Sequence, residues 1–105
     1  MAQKKDVVLL CAGWKNKFNL EDTVFAGAVV EKLTAGDHYQ VDCDSAISAR
    51  HLYNLAKHNL FDFLSDSSHR KRLAKLDLER DIKYCLTPNQ CPVIPVMEGK
   101  YLVKL

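Results

Sequence analysis

The residues best suited to chemistry follow an apolar run, Val7 to Cys11, that gives way to a polar loop. Gly13 allows a tight turn in this loop. The free N–H groups at the start of the helix predicted next attract anions. Lys15 and Lys17 add positive charge. Gly13, Lys15 and Lys17 are therefore candidate residues for binding an anion such as phosphate.

Two adjacent carboxylates, Glu21 and Asp22, stand in the first turn of that predicted helix. Carboxylate oxygens are the ligands that Mg²⁺ prefers, so the pair is a candidate metal site. Helix capping is the alternative, because acidic residues in a first turn complement the helix dipole. Asp22 also lies three residues after Asn19, which is the spacing of a capping box. The pattern alone favours capping.

Cys11 and His69 are candidate catalytic residues because each lies beside the end of a predicted element. Cys11 ends the apolar run, where α/β sheets bind ligands, and could act as a nucleophile. A cysteine in this position is more often a small core residue. His69 follows Ser67 and Ser68, which are capping residues, and could hold phosphate or transfer a proton. The local pattern slightly favours the alternative, in which Ser67 or Ser68 caps the helix and His69 is a plain surface residue.

The basic run from Arg70 to Arg72, with Lys75, has three readings. It is typical of a solvated helix face, and one of its cations could bind phosphate. It lacks the interleaved aromatic residues of a platform for single-stranded nucleic acid. We keep nucleic-acid binding only as an alternative.

The wider pattern predicts a single α/β domain over residues 1–105. Val7 to Cys11 is typical of a strand buried on both faces. Helices are predicted from the cap at Asn19 to about residue 35, from residue 42 or 44 to about 59, and at 69–76 and 78–86. Strands predicted at 93–96 and 101–103 form a hairpin around Gly99. The pattern has about four helices but only about three strands, which are too few for a complete sheet between layers of helices. The chain is therefore expected to be an obligate oligomer or an incomplete half of a larger α/β enzyme.

Composition argues against several classes of protein. The net charge of +2 is too small to indicate nucleic acid or an anionic membrane as a partner. No apolar run approaches the length of a membrane span or of a secretory signal, so we expect a cytoplasmic protein. Disulfides are not expected among the four cysteines of a cytoplasmic protein. No pair of them has C-x2-C spacing, which argues against a zinc site.

Three stretches, taken in order, resemble the C-terminal half of the 2-phosphosulfolactate phosphatases. They are LLCAGWKNKFNLEDTVFAGAVVEKL, LYNLAKHNLFDFLSDSSHRKRLAKLDLERDIKYC and VIPVMEGKYLV. In the family pattern a strand ends in Cys-Ala-Gly and a loop leads to Phe-x-Leu-Glu-Asp. A Ser-x-His segment, an acidic-Asp-Ile segment and Val-x-Pro-Val follow. This chain departs from the pattern at Arg70, where the family usually has Gly, and at Arg80, where it usually has an acid.

The resemblance implies a Mg²⁺-dependent phosphatase that acts on a small phosphorylated 2-hydroxy acid. The name-giving substrate is 2-phosphosulfolactate, on the route to coenzyme M. The matching positions are Cys11, Gly13, Glu21, Asp22, His69 and Asp81. On this reading Asp81 joins Cys11 and His69 as a catalytic candidate, and Glu21 and Asp22 hold the metal or its waters.

The resemblance also implies that the family's N-terminal half is missing from this chain. We therefore expect the chain to need that half, or a second copy of itself, before it can act. A non-catalytic assembly module is the main alternative function. A nucleic-acid-binding module that uses Arg70 to Lys75 is the second.

Overall fold

The computed structural model describes residues 4–105, in which five helices precede a two-stranded antiparallel sheet. This confirms the mixed α/β class and the C-terminal hairpin. A short helix, α3, forms between the second and third predicted helices. In chain order the elements are α1 (Leu20–Thr34), α2 (Asp44–Ala56), α3 (Leu60–Phe63), α4 (Ser68–Ala74), α5 (Glu79–Cys85), β1 (Pro95–Glu98) and β2 (Tyr101–Lys104).

Helices α1 and α2 form the closely packed pair of the fold. The side chain of Asn19 caps α1 by accepting a hydrogen bond from the Asp22 N–H at 3.1 Å, as the sequence predicts. Gly27 lets the two helices approach, because a Cβ at this position would collide with the backbone carbonyl of Ala49. The absence of a side chain at Gly27 therefore sets the distance between the helices.

A small hydrophobic core lies where the later helices meet this pair. Its buried centre consists of Val24, Ala56 and Leu64. Partly buried side chains surround it, namely Leu20, Leu52, Tyr53, Leu60, Phe63 and Leu86. The short helix α3 thus contributes to the core directly. Phe25 of α1 lies away from this core and is 71% exposed.

The strand predicted over residues 7–11 is not formed in the described part of the chain. These residues pair with no strand there, because β1 and β2 pair only with each other. Val8 is 87% exposed and Leu10 is 93% exposed. A strand requires a hydrogen-bonding neighbour, and an apolar sequence alone does not supply one.

The C-terminal hairpin has the predicted turn and a shifted first strand. In its register Val96 lies opposite Val103 and Glu98 lies opposite Tyr101. Gly99 takes a positive φ of 61°, which a tight hairpin turn requires. The first strand covers 95–98 rather than 93–96, since the turn fixes which residues face each other.

The molecule is more open than a closed domain of its size. It exposes 9023 Å², whereas a compact monomer of 11.9 kDa exposes about 5,900 Å² by the usual scaling. Its radius of gyration is 15.2 Å, against about 13 Å for a compact chain of this length. Across residues 4–105, no helix is long and apolar enough to cross a membrane.

Candidate active site

A cleft of about 960 Å³ lies between the segment before α1, helix α1 itself, and helices α4 and α5. Five of the eight predicted site residues line it: Cys11, Glu21, Asp22, His69 and Asp81. They come from four separate parts of the chain, so the fold gathers them. The three candidate anion-binding residues, Gly13, Lys15 and Lys17, lie outside its lining.

Asp22 anchors the turn that leads into α1. Its Oδ2 accepts a hydrogen bond from the Gly13 N–H at 2.8 Å. Gly13 has a φ of 71°, and a Cβ there would lie 2.6 Å from the Lys17 carbonyl oxygen. The Asp22 side chain therefore stabilises the loop. It does not return to the backbone of Asn19, as a capping box would require.

Glu21 connects α1 to the start of α4. Its Oε1 accepts a hydrogen bond from the Ser67 hydroxyl at 2.5 Å. Ser67 is 6% exposed, and its Oγ also accepts the N–H of Arg70, so the same hydroxyl caps α4. The two elements are held together by a pair of residues 46 positions apart.

The second oxygen of Glu21, Oε2, is buried and has no hydrogen-bond partner. A buried carboxylate oxygen without a partner is costly, and a cation or a proton would relieve that cost. The donor chemistry therefore fits Mg²⁺ at this oxygen. Within residues 4–105, no three His, Cys, Asp or Glu side chains are close enough to form a complete metal site.

His69 contacts a cation rather than a carboxylate. Its Nδ1 lies 3.4 Å from Nη2 of Arg72. The guanidinium of Arg72 also stacks over Trp14, with its Cζ 4.8 Å from the ring centroid. Lys15 approaches the same ring, at 5.9 Å. The polar loop and α4 are thus joined through Trp14.

Arg70 replaces the glycine usual in the family without disturbing the start of α4. Its backbone N–H donates to the capping Ser67, and its guanidinium donates to the Phe61 carbonyl oxygen at 3.1 Å. The guanidinium also lies 3.7 Å from the centroid of the Phe61 ring. Arg70 therefore holds α4 against α3.

Sequence reasoning missed the partners that position the candidate residues. Ser67 is recognisable as a cap, but no local pattern shows that its hydroxyl reaches Glu21. Trp14 and Arg72 carry no signal of their contact either, since they lie far apart in the chain. Spacing rules describe neighbours within one helix or hairpin, and these contacts join different elements.

Fold and cleft together define an open α/β domain with carboxylates, an imidazole and a thiol around one ligand-sized cleft. The family model described as 2-phosphosulpholactate phosphatase matches residues 1–100. The chain belongs to this family.

Curated relatives agree with the family match. The chain is 38% identical to a probable 2-phosphosulfolactate phosphatase of Picosynechococcus sp. over 97% of this chain and 42% of the relative. It is 35% identical to one from Caldanaerobacter subterraneus over 90% of this chain and 39% of the relative. It is 32% identical to one from Thermotoga maritima over 99% of this chain and 44% of the relative. The chain thus spans about two fifths of the length of these relatives. No solved structure matches.

Proposed function

We propose that the complete protein hydrolyses the phosphate monoester of a small 2-hydroxy acid, with 2-phosphosulfolactate as the first candidate substrate. The family membership over residues 1–100 is the observation that carries this proposal. The cleft supports it, because carboxylate, imidazole and thiol side chains share one space large enough for such a substrate.

Glu21 is the proposed principal ligand for Mg²⁺, through its buried and unpartnered Oε2. Asp22 would contribute through Oδ1, since its Oδ2 already accepts the Gly13 N–H. A bound Mg²⁺ would neutralise the charge that develops on the phosphoryl oxygens. The two carboxylates would hold the positive charge of the metal beside the phosphate.

The remaining candidates have proposed roles at the phosphate itself. His69, whose Nδ1 contacts Arg72, would hold a phosphate oxygen. Cys11 and Asp81 are exposed at the cleft, where they could contact the substrate or the attacking water. Gly13 contributes its turn conformation, because its N–H is already donated to Asp22. Lys15 and Lys17 would add positive charge beside the cleft.

We propose that residues outside this chain complete the site. No full set of metal ligands occurs among the described residues, and large apolar side chains around the cleft stay open to solvent. The relatives are more than twice as long as the matched segment, so they contain further polypeptide that could cover these side chains.

A hydrolysis assay tests the proposal. The full-length protein is assayed against 2-phosphosulfolactate and phospholactate, with Mg²⁺ and with a chelator. We expect phosphate release that depends on Mg²⁺ and stops when the metal is removed. Absence of hydrolysis for both esters under every condition would overturn the proposal.

The exposed apolar surface favours a second candidate function, a non-catalytic assembly module. Leu10, Phe18 and Tyr101 are each more than 70% exposed. An assembly module would form stable complexes and hydrolyse neither ester. Light scattering during size-exclusion chromatography, run beside the assay, separates the two candidates.

The nucleic-acid alternative has less support from the structure. Arg70 is engaged with Phe61, and Arg72 is engaged with Trp14 and His69. Two of the cations in the basic run therefore already contact other residues of the fold. If the run binds nucleic acid, its affinity should fall steeply as salt is raised.

A further inference from the structure

We propose that Arg72 is a positioning residue that fixes the ring of His69, so that Nε2 carries the proton and donates a hydrogen bond into the cleft. The inference deepens the proposed function and rests on it, because the substrate's phosphate oxygen would accept that hydrogen bond. It assigns His69 the role of a donor and excludes the role of a base.

The contact between the two side chains determines which nitrogen is protonated. Nη2 of Arg72 lies 3.4 Å from Nδ1 of His69. A guanidinium group has only donors, so Nδ1 of a neutral ring must be the acceptor. The single ring proton is then on Nε2, an assignment that follows from donor chemistry. Residues three apart on α4 share one face, which allows this contact.

Trp14 restrains the guanidinium from the other side. The Cζ of Arg72 lies 4.8 Å from the centroid of the Trp14 ring. Trp14 is fixed in turn by two backbone hydrogen bonds with Lys17, of 3.1 and 2.9 Å. A stacked guanidinium loses fewer orientations when it donates a hydrogen bond, so the aromatic ring helps to aim it at His69.

The free nitrogen of His69 is available to a ligand. His69 lines the cleft, and its Nε2 has no hydrogen-bond partner among the described residues. A neutral Nε2–H group suits a phosphate oxygen, which is an acceptor. The same group cannot remove a proton from an attacking water, because Nδ1 is already occupied and Nε2 is already protonated.

The state of the ring can be measured without any assay of activity. The complete protein is labelled with ¹⁵N in its histidine rings, and correlation spectra are recorded in alkaline buffer, where the neutral ring is observed. The His69→Gln variant identifies the signals. We expect an Nε2–H tautomer whose Nδ1 resonance shows an accepted hydrogen bond. An Nδ1–H tautomer in the wild-type protein would overturn the inference.

Variants then test whether Arg72 is the cause. Arg72→Leu should remove the hydrogen-bond shift at Nδ1, and Arg72→Lys should retain part of it, since an ammonium group still donates. Trp14→Leu should weaken it. Lys71→Leu is the matched control, because Lys71 is an exposed cation on the same helix whose side chain has no hydrogen bond, ion pair or ring contact among the described residues. An Nδ1 resonance in Arg72→Leu that matches the wild type contradicts the proposal.

Binding of inorganic phosphate provides the functional readout. We expect added phosphate to shift the Nε2 resonance of the wild-type protein, and Arg72→Leu to weaken phosphate binding by about tenfold, the value of one hydrogen bond to a charged group. Hydrolysis by a protein with an Nδ1–H ring overturns the inference alone. An Nε2–H ring in a protein that hydrolyses neither ester overturns the proposed function alone.

Discussion

Glu21 and Asp22 are neighbours in the sequence, yet their side chains perform different tasks. The Asp22 carboxylate accepts a hydrogen bond from the Gly13 N–H, which ties the polar loop to α1. Glu21 accepts from Ser67 with one oxygen and leaves the other buried without a partner. Only Glu21 therefore combines burial with an unused acceptor.

This difference predicts separate effects for two isosteric variants. Glu21→Gln should raise the Mg²⁺ concentration needed for half-maximal hydrolysis by at least about tenfold. Asp22→Asn should mainly reduce the free energy of unfolding, by about 1 kcal/mol, because its charged hydrogen bond to Gly13 becomes a neutral one. Metal titration of activity and urea denaturation of the full-length protein measure the two effects.

Glu98→Gln is the matched control, since Glu98 is an exposed acid at the end of β1. It should change neither quantity. A normal Mg²⁺ response in Glu21→Gln would mean that Glu21 is a structural link between α1 and Ser67 rather than a metal ligand.

Cysteine reactivity offers another prediction for single residues. All four cysteines are exposed, so access does not distinguish them. The hydrogen bond between Cys43 Sγ and Ser45 Oγ lowers the pKa of the Cys43 thiol. A lowered pKa keeps the reactive thiolate populated at lower pH. At pH values below the usual pKa of a cysteine thiol, Cys43 should therefore react with iodoacetamide faster than the other three cysteines.

Mass spectrometry of partly alkylated protein measures this order. Ser45→Ala should slow the reaction at Cys43, whereas Ser48→Ala, an exposed serine on the same helix, should leave it unchanged. Equal alkylation of Cys11 and Cys43 at every pH would contradict the prediction.

At the scale of elements, the contact of α1 with α2 depends on one position without a side chain. A Cβ at Gly27 would meet the Ala49 carbonyl group and the Tyr53 side chain. Backbone atoms cannot move aside without shifting a helix. The two helices could not keep their present distance with any larger residue there.

Gly27→Ala should accordingly lower the free energy of unfolding by about 1–3 kcal/mol, as overpacking does elsewhere. Gly36→Ala is the control, because no atom lies within 4 Å of the Cβ it would add. Its effect should stay within about 0.5 kcal/mol. Urea denaturation followed by circular dichroism compares the variants, and equal stabilities would show that α1 and α2 can separate freely.

At the scale of the whole molecule, the exposed apolar segment before α1 is the main feature. Val8 and Leu10 are almost fully exposed, and the chain as a whole exposes about 3,000 Å² more than a compact monomer of its mass. An excess of this size exceeds what one partner contributes to a standard protein interface, about 800 Å². The surface is therefore suited to contact with further polypeptide.

We expect the 105-residue chain, produced alone, to associate rather than remain at 11.9 kDa. The double variant Val8→Lys, Leu10→Lys should reduce that association, since it places charge on the exposed segment. Leu55→Lys, at an exposed apolar position on α2, is the control. Light scattering during size-exclusion chromatography measures the mass, and a stable monomer of the unchanged chain would contradict the expectation.

The sequence by itself determined the features that depend on residues close together in the chain. Asn19 and Ser67 cap their helices as predicted, and Gly99 forms the hairpin turn, because each needs partners only two to four residues away. Four residues of the cleft, Cys11, Glu21, Asp22 and His69, were likewise named by type and position, and Asp81 was named by the resemblance to the family.

Only the tertiary structure decided which side chains meet. Glu21 reaches Ser67, and Trp14 stacks on Arg72, across distances in the chain that no spacing rule describes. It also decided that residues 7–11 lack a neighbouring strand. Apolar character marks a segment as suited to a sheet, but strand formation depends on backbone hydrogen bonds to a partner, and packing alone determines whether one is present.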